Sequence, residues 1–188
     1  MDNKAAVADL RVGTPPAPGG LILVEGFLNT WSEELNIDDL ETAQSAEAWL
    51  RNTSLWDGTQ KLKQDQHQKL IKFRSDLRSW ILDETLFQPL NDLFADIAFH
   101  AEFAPSGHIQ FVSGRHPFDH ALGKLVGAIL EGQQDGTWDR LKCCELESCG
   151  WAFYDSTRSR TKRWCSMKTC GSRHKAREYY KRKRSVSD

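Results

Sequence analysis

The first 142 residues of this 188-residue chain contain no cysteine; all five thiols fall between Cys143 and Cys170. Secreted disulfide scaffolds spread their cysteines and pair them in even numbers, so this clustering argues for a reducing compartment. Long apolar runs are missing as well. The longest, such as Leu21 to Val24, fall far short of the roughly 20 residues a membrane helix needs. The N-terminus shows no apolar run behind basic residues of the kind that marks a secretory signal. A soluble, cytoplasmic protein without a membrane partner is expected. Also missing are a dinucleotide fingerprint, a phosphate-binding glycine loop and any Ser-His-Asp order. No catalytic residue is assigned, and an enzyme is not expected.

A net charge of one sign is lacking too, since 25 basic and 26 acidic side chains leave −1. That balance hides a division. Residues 140–188 hold 14 Lys and Arg against 5 Asp and Glu, whereas the first 139 hold 11 against 21. A basic C-terminal module on an acidic body points to nucleic acid as the partner.

Composition divides the chain at the same place. Residues 1–20 end in Thr14-Pro15-Pro16-Ala17-Pro18-Gly19-Gly20 and read as a disordered arm. A mainly helical domain over 21–136 follows, with a small β element. Residues 21–30 open it as a strand or a buried helix, which periodicity does not separate in so short a run. Asp38 and Asp39 then supply cap carboxylates for a helix carrying Leu40, Ala43, Ala46 and Leu50. A long helix is expected from about Gln60, after Gly58, to Asp83, with Leu70, Phe73, Leu77 and Ile81 on one face. A third carries Leu86, Leu90, Leu93, Phe94 and Ile97 and stops before Pro105. The segment 107–114 reads as a strand, half of a small hairpin. A fourth helix, Pro117 to Glu131, has the cleanest amphipathic face, and Gly132 and Gly136 mark the turn out of the domain.

Residues 137–184 are too few to hold a core unaided, and chains this short commonly rely on a metal. Cys144/Cys149 and Cys165/Cys170 form two pairs of identical spacing, four thiolates suited to one structural zinc ion. Cys143 would spoil that match and is left a bystander. Gly150 allows a positive φ behind the second thiolate. Trp151–Tyr154 and Thr161–Trp164 read as a β-hairpin around a polar turn, and Ser166 as the N-cap of a helix from about Met167 to Arg184. A turn, a hairpin and a helix sharing one zinc is a treble-clef-like arrangement, so the overall class expected is α+β. With four thiolates around the metal no position is left for a catalytic water. Residues 185–188 form a tail.

Basic residues fall in two groups. Arg158, Arg160, Lys162 and Arg163 crown the hairpin, while Arg173, Lys175, Arg177 and Arg182 line the helix. These eight are the candidate nucleic-acid contacts, with Arg173 and Arg177 at i, i+4 as candidate base readers. DNA is the first partner and RNA the second, because Trp151, Phe153, Tyr154 and Trp164 could stack bases if exposed. A protein-interaction module with its basic tail on an acidic surface is the third reading.

The segment Arg163-Trp164-Cys165-Ser166-Met167-Lys168-Thr169-Cys170-Gly171-Ser172-Arg173 resembles the bacterial CGNR zinc-finger family, with Ser172 where that family has Asn. Cys149-Gly150-Trp151 and Asp155-Ser156-Thr157-Arg158 fit the same pattern. Upstream, Phe27-Leu28-Asn29-Thr30 is similar to the opening of the ABATE domain, described as that of a stress-induced transcription regulator. The resemblance implies a bacterial regulator that grips DNA through the finger. Asn29 and Thr30 are polar among apolar neighbours and are candidates for an effector pocket. His116 and His120 stand at i, i+4 and are expected to be surface residues. A homodimer would enlarge the small footprint of one finger, although no heptad seam announces one.

Overall fold

A computed structural model describes residues 14–185 apart from 57–59, 96, 108, 114–115 and 147. Most of the expected disordered arm, Gly58, His108, Gly114 and the last three residues thus lie outside the described residues. Leu21–Leu28 is a helix, α1. Leu21, Val24, Phe27 and Leu28 are all buried, and so is Glu25, whose carboxylate accepts from the Ala17 amide at 2.7 Å, so the helix runs through the core. Trp31–Ser32 (β1) and Ile37–Asp38 (β2) then pair antiparallel.

The helix expected to start at Asp38 begins later. It spans Ala43–Asn52 (α2) and is capped by Thr42, whose Oγ1 accepts from the Ser45 amide at 3.1 Å while Ser45 Oγ accepts from the Thr42 amide at 3.0 Å. Asp38 is drawn away by Arg74, which donates to its carboxylate at 2.8 Å. A buried guanidinium needs a carboxylate more than a helix needs that cap.

Gln64–Leu82 (α3) buries Leu70, Phe73 and Leu77. Phe73 meets Phe27 at 5.3 Å and Phe94 edge-on at 4.9 Å, which ties α1, α3 and Gln88–Phe94 (α4) together. The helix expected up to Pro105 ends at Phe94 instead. Phe99–Phe103 (β3) pairs antiparallel with Ile109–Ser113 (β4), completing the hairpin of which only the second strand was read. Hairpin pairing with the next strand overrode a helical pattern that continued only through Ile97.

Pro117–Gln134 (α5) starts with His116 as N-cap, its Nδ1 accepting from the Phe118 amide at 3.2 Å. The helix buries Phe118, Ala121, Leu122, Leu125, Ala128 and Ile129 against α1. A Cβ on Gly132 would lie 2.8 Å from Leu21 Cδ1, so the approach of the two helices requires glycine there.

Beyond Gly136, a 3₁₀ turn, Trp138–Arg140, lays Trp138 on Trp80 with ring centroids 5.2 Å apart. Leu141–Cys143 (β5) and Ala152–Tyr154 (β6) pair antiparallel. The expected partner of 151–154 was 161–164, so the hairpin is corrected: its turn is the first cysteine loop itself. Met167–Gly171 forms a wide π turn that leads into Ser172–Ser185 (α6). The architecture is mixed helical with three two-stranded sheets among the described residues. Trp138, Leu141, Cys143 and Ala152 join the core of the helical body. Cys144, Leu146, Cys149, Trp151, Phe153, Cys165 and Cys170 form a second cluster.

Candidate metal centre

The four predicted ligands meet. Cys144 and Cys149 come from the β5–β6 turn, Cys165 from the loop before the π turn and Cys170 from within it. Their sulfurs all lie within 4.8 Å of one another, and all four side chains are buried. Cys149 Sγ is 3.7 Å from Cys165 Sγ, which is 3.6 Å from Cys170 Sγ. A tetrahedron with zinc–sulfur bonds of about 2.3 Å has edges of about 3.8 Å, so these separations fit one zinc ion.

Local sequence makes this geometry. Cys149 and Gly150 both donate to the Leu146 carbonyl, at 2.7 and 3.3 Å, closing the first loop. Gly150 takes φ +57°, and a Cβ there would sit 3.2 Å from the Trp31 ring. Ser166 caps the following turn as expected, accepting from the Thr169 amide at 3.3 Å. A Cβ on Gly171 would lie 2.7 Å from Met167 Sδ, so a larger residue there would displace that exposed side chain.

Charge argues for the same cation. Hydrogen bonds from the Cys149 and Cys165 thiols push Cys144 down to about 2, and the bond to Cys144 pushes Cys149 up to about 12 and Cys165 upward too. Four thiolates confined to this volume repel one another, and a divalent ion is what allows them to share it. Cys143 stays outside the site, and burial raises its thiol to about 12 despite the nearby Arg78 guanidinium.

Asp155 organises the loop that follows. It is fully buried; Thr157 donates to it with both amide and hydroxyl, at 3.1 and 2.6 Å, and the Lys162 amide and Lys142 Nζ each donate at 2.9 Å. Burial alone would raise this carboxyl; the four donors more than offset it and hold it at about 2. Here a carboxylate takes the Lys162 amide that a strand ladder would have used, the physical reason the expected hairpin did not form. The Asp-x-Thr signal was present in the sequence.

Of the eight predicted nucleic-acid contacts, Arg163 is held by Glu145, its Nε donating to both carboxylate oxygens at 2.9 and 2.8 Å, and lies over Trp164. Lys162 Nζ sits 5.5 Å from the Phe153 ring centroid. Arg173 pairs with Glu34 of the body, and Arg182 Nε donates to the Glu178 carbonyl. Arg158, Arg160, Lys175 and Arg177 are exposed. Helical periodicity puts Arg173 and Arg177 on one side of α6 and Lys175 and Arg182 on the other, and the hairpin group is partly tied to the finger itself.

Asn29 and Thr30 have structural work. Asn29 Nδ2 donates to the Ala152 carbonyl at 3.0 Å and its Oδ1 accepts from the Ala152 amide at 2.8 Å, so one side chain pairs with β6 as a neighbouring strand would. Thr30 Oγ1 donates to the Phe27 carbonyl at 2.7 Å and accepts from Arg74 at 2.9 Å. These bonds leave the effector-pocket expectation without support. Arg78 was missed entirely. It donates to the Leu28 carbonyl, lies 4.8 Å from the Trp31 ring, and its Nη1 sits 3.3 Å from where a Cβ on Gly150 would be. Nothing local in the sequence marks it.

Residues 140–183 match the family described as CGNR zinc finger. The match covers 44 of the 188 residues and includes all four ligands. No curated protein matches the chain. No helix among the described residues is long and apolar enough to cross a membrane.

Proposed function

We propose that this chain is a bacterial DNA-binding transcription regulator, gripping DNA through a treble-clef-like finger. The observation that carries the reading is α6: it leaves a metal centre at its first turn and carries an exposed run of cations, Arg173, Lys175, Arg177 and Lys181 to Arg184. Such a helix can lie along a groove and neutralise phosphates, releasing counterions. Arg158 and Arg160 at the exposed loop would add contacts, and Arg173 would exchange Glu34 for phosphate. The helical body is read as an ABATE-type regulatory domain from Phe27-Leu28-Asn29-Thr30 and its place before the finger.

RNA recognition by hairpin aromatics is the weaker alternative, since Trp151 and Phe153 are buried at 1% and 0% exposure. It would fall to Tyr179 and Tyr180, both exposed on α6. A protein-interaction role is favoured by a specific observation: Glu145 and Glu34 already serve as carboxylate partners for Arg163 and Arg173.

A fluorescence-anisotropy titration of zinc-loaded protein with a random-sequence duplex, repeated at several salt concentrations and after chelation, separates these readings. For five phosphate contacts the log–log salt slope is about −4.5. Arg177→Ala should flatten it by about 0.9, and Lys61→Ala on the body should leave it unchanged. Competition by single-stranded RNA that outruns the duplex would favour RNA. Absence of binding at low salt would overturn the nucleic-acid reading in favour of a protein partner.

A further inference from the structure

Strand β3 reads Phe99-His100-Ala101-Glu102-Phe103, and all five residues are exposed. One edge of β3 pairs with β4 in unbroken register from Phe99↔Ser113 to Phe103↔Ile109. Its other edge has no strand beside it among the described residues. Free edges are usually guarded by lysine, proline or a bulge, because their unpaired amides and carbonyls recruit other strands. β3 carries no lysine, proline or bulge.

The order of its side chains says what fits. Read antiparallel to itself about Ala101, the strand sets Phe99 opposite Phe103, His100 opposite Glu102 and Ala101 opposite Ala101. Every pair is complementary: aromatic with aromatic, imidazole with carboxylate, small with small. Alternation puts the phenylalanines and the alanine on one face and the His/Glu pairs on the other. His100 Nε2 and Glu102 Oε1 already lie 3.2 Å apart along the strand, so pairing would extend this contact into a four-residue ladder. Phe103 is 80% exposed and would be covered by Phe99 of the second copy. Self-complementarity about a point is the requirement of an isologous two-fold interface.

We propose that β3 is a homodimerisation edge, two copies joining their hairpins into a four-stranded antiparallel sheet with the dyad at Ala101. The assembly stands whether or not the finger binds DNA. If it does, which rests on the function proposed above, the dyad would present two fingers to two-fold-related half-sites.

The test is sedimentation velocity of the zinc-loaded full-length chain, without DNA, over a concentration series. A monomer–dimer equilibrium is expected. Glu102→Lys changes two cross-strand pairs at once by symmetry and should weaken the dimer at least about tenfold. Adding His100→Glu recreates complementary pairs in swapped order and should restore it. Ala101→Cys should give a disulfide-linked dimer under mild oxidation, because residues opposed at the dyad have Cα atoms about 4.5–5.5 Å apart, within the span of about 4.4–6.8 Å that a disulfide bridges. Circular dichroism and zinc content check folding, and Phe103→Ser, which should also weaken the dimer, replaces Glu102→Lys if that variant misfolds. A wild-type chain that is monomeric throughout, a dimer indifferent to these substitutions, or a charge swap that fails to restore it each overturns the proposal.

Discussion

The helical body and the cysteine finger stabilise themselves by different means. The body gathers Leu21, Phe27, Leu40, Leu50, Leu70, Phe73, Leu77 and Leu125 into one core, each 1% exposed or less. Among the described residues, the finger's own cluster buries Leu146, Trp151 and Phe153 besides its four ligands, with Trp164 half-buried against them. So small an apolar set cannot offset the conformational entropy of some 45 residues. The body folds by burying hydrocarbon; the finger folds by binding a cation. Between them lies a shared seam in which Trp80 meets Trp138 and Asn29 meets Ala152. The finger is built onto the body rather than tethered to it.

Metal removal should break the comparison most sharply. Chelation, or Cys165→Ser, forfeits a metal contribution on the order of 10 kcal/mol. Hydrogen exchange should then show protection lost over Cys144–Gly171 and retained in α5. Equal loss in both would mean that the seam makes one cooperative unit. Next in size is the mirror experiment, Phe73→Ala, which opens the body's core at a cost of about 3–5 kcal/mol. Thermal unfolding followed by zinc release should show the body failing first.

The seam itself ranks third. Asn29→Leu leaves the amide and carbonyl of Ala152 buried and unpaired, at about 1–3 kcal/mol for each. Chemical denaturation should show that loss, with zinc stoichiometry unchanged. Asp155→Asn should cost about 2 kcal/mol, with a pH signature. A carboxyl held at about 2 instead of its ordinary 3.8 contributes stability that is full above 3.8 and is lost as pH falls toward 2. The gap between wild type and variant should therefore close over that window; a constant gap would show that charge is not the cause. Smallest is Glu34→Gln. Its ion pair with a half-exposed Arg173 stabilises by under about 1 kcal/mol, so the melting temperature should barely move. On the DNA-binding function proposed above, affinity should rise slightly as Arg173 is released, and a fall would argue that Glu34 orients Arg173 for binding.

What could be read in the sequence was local. Cys144, Cys149, Cys165 and Cys170 were assigned by spacing alone because a metal site built from two short loops needs little beyond those loops. The Ser166 cap, the Gly150 turn and the apolar faces of α3 and α5 were legible for the same reason, since each depends on residues within a few positions of itself. The helix start moved from Asp38 to Thr42 because Arg74, 36 residues away, claimed the carboxylate. The finger's hairpin changed partners because buried Asp155 took the Lys162 amide. Asn29 lies 123 residues before the strand it pairs with, and Arg173 lies 139 after its carboxylate. The sequence by itself determined which atoms bind metal and which segments carry charge. Only the tertiary structure decided which cations remain exposed and which carboxylates hold the rest. Burial sets the strength of such a contact, and burial exists only once distant segments have met.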